Sequence, residues 1–196
     1  LGRVGFLTEL MPGDWPVALE RILDQGYEIE ERLRLSYRLI RDGVEHASGA
    51  FVNDIVVSRG AMARLIRLSV HVSGELLSSF RADGVILATS TGSTAYCVSA
   101  GGPVISHRLS VCCVTPICPF LNDFRPLVLP ADEEIVVSVD EEHSEVSLTR
   151  DGQIVYDLKR GDRIVVSRAA ANLRIVRLPE YSFFGALKDK GFYTER

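Results

Sequence analysis

The feature that most constrains the fold is a long succession of short apolar or alternating segments, each bounded by turn-forming residues. Residues 27–40 alternate apolar and charged side chains, and Asp42-Gly43 then has the chemistry of a hairpin turn. Similar segments follow at 44–50, 52–58, 65–72, 84–89, 109–115, 127–129, 135–139, 145–149, 153–158, 163–167 and 172–176. Short strands separated by regular turns are typical of a mainly β sandwich or barrel rather than a parallel α/β sheet.

Helix signals are few. Asp14 can cap a helix in which Pro16 occupies the first turn, and Gly26 is suited to end it. We expect a second short helix near 93–100 and a third near 183–190. The sequence contains no internal repeat or linker, so we predict one domain spanning 1–196 with two or three short helices.

Composition narrows the functional class. The chain has 196 residues, 46% of them hydrophobic, and a formal net charge of −4. This acidic balance argues against binding to nucleic acid or to an anionic membrane surface. No apolar run approaches the roughly 20 residues of a membrane span, and the first residues lack a signal-peptide pattern. We therefore expect a cytoplasmic protein.

The cysteines and histidines do not form a metal-binding pattern. The four cysteines are Cys97, Cys112, Cys113 and Cys118. Neighbouring Cys112 and Cys113 would point to opposite faces of a strand, and the four histidines show no ligand spacing. We predict reduced, mostly buried thiols and no metal site in this chain.

Residues 81–103 contain the sequence features that indicate a ligand-binding site. An apolar strand (84–89) runs into a turn rich in hydroxyl groups and then into a helix of small residues. Such a junction presents backbone amides and hydroxyls to an anionic ligand, and Gly92 allows a close backbone approach. Neither a Walker lysine nor a G-x-G-x-x-G pattern is present. The alternative is a Ser/Thr-rich turn that caps a helix and binds nothing.

Several motifs in this region and elsewhere resemble the NAD kinase family. The central ones are Asp83-Gly84, ATSTGSTAY at 88–96 and SAGGP at 99–103. Other segments agree in the same order, namely LGRVGFLT at 1–8, Asn53-Asp54, TPICP at 115–119, RPLV at 125–128, DGQ at 151–153 and the Phe183-Phe184 tail. Three positions depart from the family pattern, since Ser90 and His107 replace prolines and Phe120 replaces a histidine.

The resemblance implies a fold and an activity. It implies the C-terminal, dinucleotide-binding domain of an NAD kinase, a two-sheet β-sandwich-like domain. The N-terminal α/β domain of that family carries a GGDGT loop with the catalytic aspartate, and we expect that domain to be absent from this chain. The reaction is phosphoryl transfer from ATP, or from polyphosphate, to the 2′-hydroxyl of the adenosine ribose of NAD, giving NADP. Mg²⁺ or another divalent cation would accompany ATP.

The same resemblance supplies partners and alternatives. We expect this chain to hold the acceptor NAD, to be inactive alone, and to pair with its own N-terminal domain in a homodimer or homotetramer. A non-catalytic NAD(P)-binding module and a relative of lipid kinases are the alternative functions.

The resemblance also assigns candidate site residues. The NAD-binding candidates are Phe6, Asn53, Asp54, Asp83, Thr91, Thr94, Ala95, Tyr96 and Ser99. Further candidates are Gly92, Ser93, Arg125, Asp151 and Gln153. No catalytic residue is assigned within this chain. The residues alone favour turns for Asn53-Asp54 and Asp151 and core positions for Phe6 and Tyr96, and only the resemblance makes them ligand contacts.

Overall fold

The computed structural model describes residues 7, 10, 13–61, 64–121, 124–141, 145–177 and 182–193. Over these residues the chain forms fourteen β-strands in three sheets and three short α-helices. The paired strands whose registers are described are all antiparallel. The predicted mainly β fold is confirmed.

The chain divides into two compact units, and the smaller contains the described residues of Leu1–Arg32 and Arg174–Arg196. Its helices are α1 (Trp15–Gln25) and α3 (Phe183–Asp189), and its two-stranded sheet pairs β1 (Glu28–Arg32) with β14 (Leu173–Arg177). A proline lies at the first turn of α1, and Gly26 follows its last residue with a φ of +81°. The predicted positions of both ends of the first helix are therefore confirmed, but the Asp14 side chain makes no capping hydrogen bond.

The larger unit, Leu33–Leu173, contains two six-stranded sheets. Sheet I contains, in spatial order, β3 (Val44–Phe51), β2 (Leu35–Arg41), β13 (Arg163–Arg168), β10 (Ile135–Val139), β5 (Ile66–Val72) and β6 (Glu75–Ala82). Sheet II contains β12 (Ile154–Leu158), β11 (Val146–Arg150), β4 (Asp54–Arg59), β7 (Gly84–Thr89), β8 (Val111–Ile117) and β9 (Leu127–Pro130). The remaining helix, α2 (Tyr96–Ser99), follows β7 after a 3-10 turn at Gly92–Thr94.

The central strands of sheet II are buried on both faces. Val85 and Leu87 of β7 belong to a core cluster to which both sheets contribute, whereas Ile86 and Ala88 belong to a second cluster that includes Cys97 of α2. All six residues of β7 are buried, which explains the continuous apolar run in the sequence. The segment that follows β7 thus packs back onto the outer face of sheet II.

The thiols behave as predicted. Cys112 lies in the core between the sheets and Cys113 in the outer cluster, so these neighbours do point to opposite faces. All four cysteines are free, and only Cys118 is exposed. Among the residues that the structure describes, no group of three or more His, Cys, Asp or Glu side chains could hold a metal ion.

Three details of the sequence prediction were wrong. The single strand expected at 27–40 is two strands, because β1 pairs with β14 and β2 pairs with β13. The helix expected at 93–100 is a 3-10 turn followed by one α-helical turn. Strand β6 was not predicted, since its sequence ELLSSFRA does not alternate cleanly. The single domain stays a prediction, and no described helix is long and apolar enough to cross a membrane.

Candidate functional site

The candidate site lies where the start of β4 meets the end of β7. In the antiparallel pairing of these strands, Asp54 is opposite Ala88. The Thr89 N–H donates a hydrogen bond to the carbonyl oxygen of Asn53 (2.9 Å), and the Thr89 hydroxyl donates one to the carbonyl oxygen of Val52 (2.5 Å). The acid–amide pair, Asn53-Asp54, and the hydroxyl-rich loop after β7 are therefore adjacent, although they are far apart in sequence.

The loop after β7 is shaped by its own hydroxyl groups. The Ser93 hydroxyl donates to the Ser90 carbonyl oxygen (2.7 Å), and the Thr94 hydroxyl donates to the Thr91 carbonyl oxygen (3.2 Å). The Ser93 oxygen also accepts from the Ile105 N–H (3.0 Å), which joins the loop to the segment after α2. Bonds between residues three apart stabilise a tight turn and compete with a regular α-helix.

Gly92 is required by a close approach of two backbones. A Cβ built at Gly92 would overlap the carbonyl group of Asn53 and lie 2.8 Å from the Asn53 Cα. The Gly92 N–H donates to the Thr89 hydroxyl oxygen (3.1 Å). The glycine thus allows the loop to lie directly against the acid–amide pair.

A β-hairpin turn completes the cluster from the other side of β4. Asp151, between β11 and β12, accepts hydrogen bonds on Oδ1 from the N–H groups of Asn53 (2.8 Å) and Asp54 (3.2 Å). Its Oδ2 accepts from the Val52 N–H (3.2 Å), and its own N–H donates to the Asp54 carbonyl oxygen (2.9 Å). The structure therefore brings Asn53, Asp54 and Asp151 together.

The Asp54 carboxylate is the electrostatic centre of the site. The residue is 5% exposed. Burial raises the pKa of Asp54 to about 6, and repulsion from Asp151 adds to this effect. The Tyr96 backbone N–H donates a hydrogen bond to the carboxylate and acts in the opposite direction. A buried carboxylate with this pKa is costly to ionise, and further hydrogen-bond donors would stabilise its charged form.

Asp83 lies elsewhere. It precedes β7 at the end of the strand pair opposite to Asp54, on the order of 15 Å away at about 3.3 Å per residue. Its Oδ1 accepts a hydrogen bond from Arg59 Nε (2.5 Å), and its N–H donates to the Ile117 carbonyl oxygen (2.9 Å). Within this chain, the structure does not bring Asp83 to the Asp54 cluster.

The remaining predicted residues surround the loop or lie apart from it. Thr91 and Thr94 are buried in the loop, and Ala95 is partly buried. Tyr96 and Ser99, at the two ends of α2, are exposed. Gln153 is exposed in the turn after Asp151, and Arg125 is exposed just before β9; Phe6 lies outside the described residues.

The structure shows the surroundings of Ser90 and Phe120, two of the residues that depart from the family pattern. Ser90 is buried, and its hydroxyl donates to the His107 carbonyl oxygen (3.5 Å). Phe120 is 57% exposed. Sequence reasoning missed Thr89, which connects the loop to Val52 and Asn53, although Thr89 lies within the ATSTGSTAY motif at 88–96. It also missed Arg59, for whose pairing with Asp83 the sequence gives no signal.

Comparisons with known proteins bear directly on this site. A family model described as the ATP-NAD kinase C-terminal domain matches residues 52–178, which include the Asp54 cluster. An NAD kinase of Nitratidesulfovibrio vulgaris (strain DSM 19637 / Miyazaki F) is 46% identical over 196 residues, covering all of this chain and 69% of that protein. The chain belongs to the NAD kinase family.

Solved structures of the NAD kinase family share the fold. The crystal structure of yeast NADH kinase complexed with NADH superimposes with a TM-score of 0.90 at 30% identity, over all of this chain and 59% of the yeast chain. An NAD kinase from Archaeoglobus fulgidus in complex with ATP gives a TM-score of 0.77 at 29% identity, over 95% of this chain and 70% of that one. These NAD kinase relatives are longer than the chain described above.

Proposed function

We propose that this chain holds the dinucleotide in an enzyme that transfers a phosphoryl group from ATP, or from polyphosphate, to the 2′-hydroxyl of the adenosine ribose of NAD, giving NADP. Relatives named NAD kinase, and neighbours solved with NADH and with ATP, support the reaction class. The proposal includes a cytoplasmic homodimer or homotetramer, in which an N-terminal domain bearing the GGDGT loop supplies the catalytic aspartate.

One observation carries the assignment of the acceptor site. Asp54 is a nearly buried carboxylate that follows Asn53 in the chain and lies where the start of β4 meets the hydroxyl-rich loop after β7. Vicinal ribose hydroxyls can donate two hydrogen bonds to one carboxylate, and the Asn53 amide can both donate and accept. Such donors would offset the cost of a charge that burial disfavours.

The chain's contribution to the reaction is positional. Phosphoryl transfer needs little covalent help from the protein, so an acceptor hydroxyl held in line with the donor supplies much of the rate. Asp54 and Asn53 would orient the ribose, and the loop at 91–96 would hold the adjoining base and phosphate. The described residues offer no group of three or more metal ligands, so Mg²⁺ would enter the reaction with the ATP substrate.

The experiment compares Asp54→Asn with a matched control, Asp42→Asn, by titration calorimetry with NAD. Asp42 is also an aspartate at a strand end, but in the β2–β3 turn of sheet I. We expect Asp54→Asn to weaken NAD binding at least about tenfold, corresponding to about 1.4 kcal/mol, and Asp42→Asn to leave it unchanged. In the full-length protein the loss should appear in kcat/KM for NAD, with little change in KM for ATP. Equal affinity of both variants would contradict the assignment.

A second experiment concerns the donor half of the reaction. No GGDGT sequence occurs among the 196 residues. We therefore expect the purified 196-residue chain to form no NADP from NAD, ATP and Mg²⁺, whereas the same assay on a full-length relative is the positive control. NADP production by the chain alone would show that its own residues suffice for catalysis.

A further inference from the structure

Asp151 makes hydrogen bonds that its turn does not require. It adopts a φ of +47° and Gly152 one of +65°, as expected for an Asp-Gly hairpin turn. Asp42-Gly43, between β2 and β3, has the same sequence and also positive φ values, +51° and +77°. It joins its strands through two residues, since Arg41 pairs with Val44, whereas Arg150 pairs with Ile154 across three. The carboxylate of Asp151 nevertheless reaches across to three successive N–H groups at the start of β4.

We propose that Asp151 is a positioning residue of the acceptor site, whose carboxylate fixes the backbone of Val52, Asn53 and Asp54 in the orientation that presents Asn53 and Asp54 to the dinucleotide. This inference rests on the proposed function, because it assigns Asp151 a role through the two residues proposed to contact the ribose. It differs from direct ligand binding, in which Asp151 itself would contact NAD.

The segment 52–54 is held from both sides. On one side its carbonyl groups bind Thr89, since the Val52 oxygen accepts from the Thr89 hydroxyl and the Asn53 oxygen accepts from the Thr89 N–H. On the other side its three N–H groups converge on the Asp151 carboxylate. Two of these amides, on Val52 and Asn53, precede β4. The Asp151 carboxylate therefore accepts the hydrogen bonds of these N–H groups, as carbonyl groups of a neighbouring strand do further along the sheet.

Asp151 also places a second negative charge beside Asp54. Besides burial, two groups shift the pKa of the Asp54 carboxyl: Asp151 in the β11–β12 turn raises it, and the Tyr96 N–H of α2 lowers it. The charge of Asp54 in turn helps to raise the pKa of the Cys97 thiol of α2, which is neutral. Repulsion between the two carboxylates contributes to the raised pKa of Asp54. Neutralising Asp151 should therefore make Asp54 easier to ionise while leaving an oxygen to accept the backbone hydrogen bonds.

The test uses four variants, Asp151→Ala, Asp151→Asn, Asp42→Ala and Asp42→Asn, with NAD titrated between pH 5 and pH 8. Both alanine variants place an alanine in a left-handed turn and share that backbone cost. Asp151→Ala also removes the acceptor of three backbone N–H groups, so it should lose more stability than Asp42→Ala. We expect Asp151→Ala to weaken NAD binding about tenfold or more, and Asp42→Ala to change it less than about twofold.

The asparagine variants separate charge from folding. In the unaltered chain, NAD affinity should fall as the pH drops through about 6 and Asp54 becomes protonated. In Asp151→Asn, which keeps the turn and an accepting oxygen, the midpoint of that fall should move to lower pH by about half a unit or more. Asp42→Asn should leave the midpoint in place. A purely structural role of Asp151 would not move it.

The outcomes distinguish this inference from the function on which it rests. If Asp54→Asn weakens NAD binding but neither Asp151 variant changes the affinity or the pH midpoint, only the positioning role is overturned. If Asp54→Asn itself leaves NAD affinity unchanged, the acceptor-site assignment fails and the positioning role falls with it. A loss of affinity in Asp151→Ala together with an unchanged midpoint in Asp151→Asn would overturn the electrostatic part.

Discussion

Replacing Asp54 by asparagine should stabilise the unliganded protein at neutral pH. Burial raises the pKa of this carboxyl from 3.8 to about 6. The folded state therefore binds a proton more tightly than the unfolded state, and its stability falls as the pH rises from about 4 to about 6. Above pH 6 the penalty is fully present, and below pH 4 it is largely absent. Asparagine is neutral at every pH and avoids it.

The magnitude follows from the size of the shift. A change of about two pKa units corresponds to about 3 kcal/mol at 1.36 kcal/mol per unit. The asparagine oxygen can still accept from the Tyr96 N–H, but burying its NH₂ group costs part of this gain. We expect a net stabilisation of about 1–3 kcal/mol at pH 7.5, or about 2–10 °C in Tm for a chain of this size.

The assay is thermal unfolding of the unaltered chain and of Asp54→Asn at pH 7.5 and pH 4, without NAD. The advantage of the variant in the free energy of unfolding should be about 2–3 kcal/mol smaller at pH 4 than at pH 7.5, because Asp54 is protonated in the folded state at pH 4. Asp42→Asn should show no such pH dependence. An advantage of Asp54→Asn that is the same at both pH values, or absent at both, would refute the argument from burial.

Two further predictions concern packing and an ion pair. Gly92→Ala should destabilise the fold by about 1–3 kcal/mol, because its Cβ would overlap the Asn53 carbonyl group. The same variant should also weaken NAD binding. Gly13→Ala, whose Cβ would lie in open space, is the control for both the denaturation and the titration. Asp162→Asn should lose about 1–3 kcal/mol at pH 7, since Asp162 accepts from Arg41 Nε (2.9 Å) and Nη2 (2.6 Å). Burial alone would raise the pKa of Asp162, but these hydrogen bonds lower it, so urea denaturation should show the difference shrinking as the pH falls below about 4. A difference as large at pH 3 as at pH 7 would contradict this role of the ion pair.

Sequence patterns were sufficient where a local signal decides the structure. The apolar run at 84–89 is strand β7, and the proline and glycine around α1 lie at its two ends. The helix expected at 93–100 is shorter than predicted, because the hydroxyls of Ser93 and Thr94 donate hydrogen bonds to carbonyl groups three residues earlier. The sequence shows these hydroxyls, but not whether they act on a ligand or on their own backbone.

Strand pairing explains what could not be predicted. Alternation predicts that 27–40 is extended, but it carries no information on the change of partner between β1 and β2. In the same way, Asp151 comes to lie beside Asn53 only because β11 pairs with β4. The sequence separation of 98 residues between them gave no indication of this contact. The placement of the individual NAD-binding residues stays a prediction, even though their family is established.

The Asp151 turn belongs to a hairpin at the border of sheet II, and with the role proposed for Asp151 this position would link ligand affinity to local opening. Among the described strands, β12 is hydrogen-bonded on one side only, to β11. Border hairpins detach at a smaller free-energy cost than central strands, so the amide hydrogens of Val52, Asn53 and Asp54 should exchange with solvent through fraying of this hairpin rather than through global unfolding. A substitution at Tyr156 of β12, whose hydroxyl accepts from Tyr37 (3.3 Å), would then speed that exchange and reduce NAD occupancy from a distance.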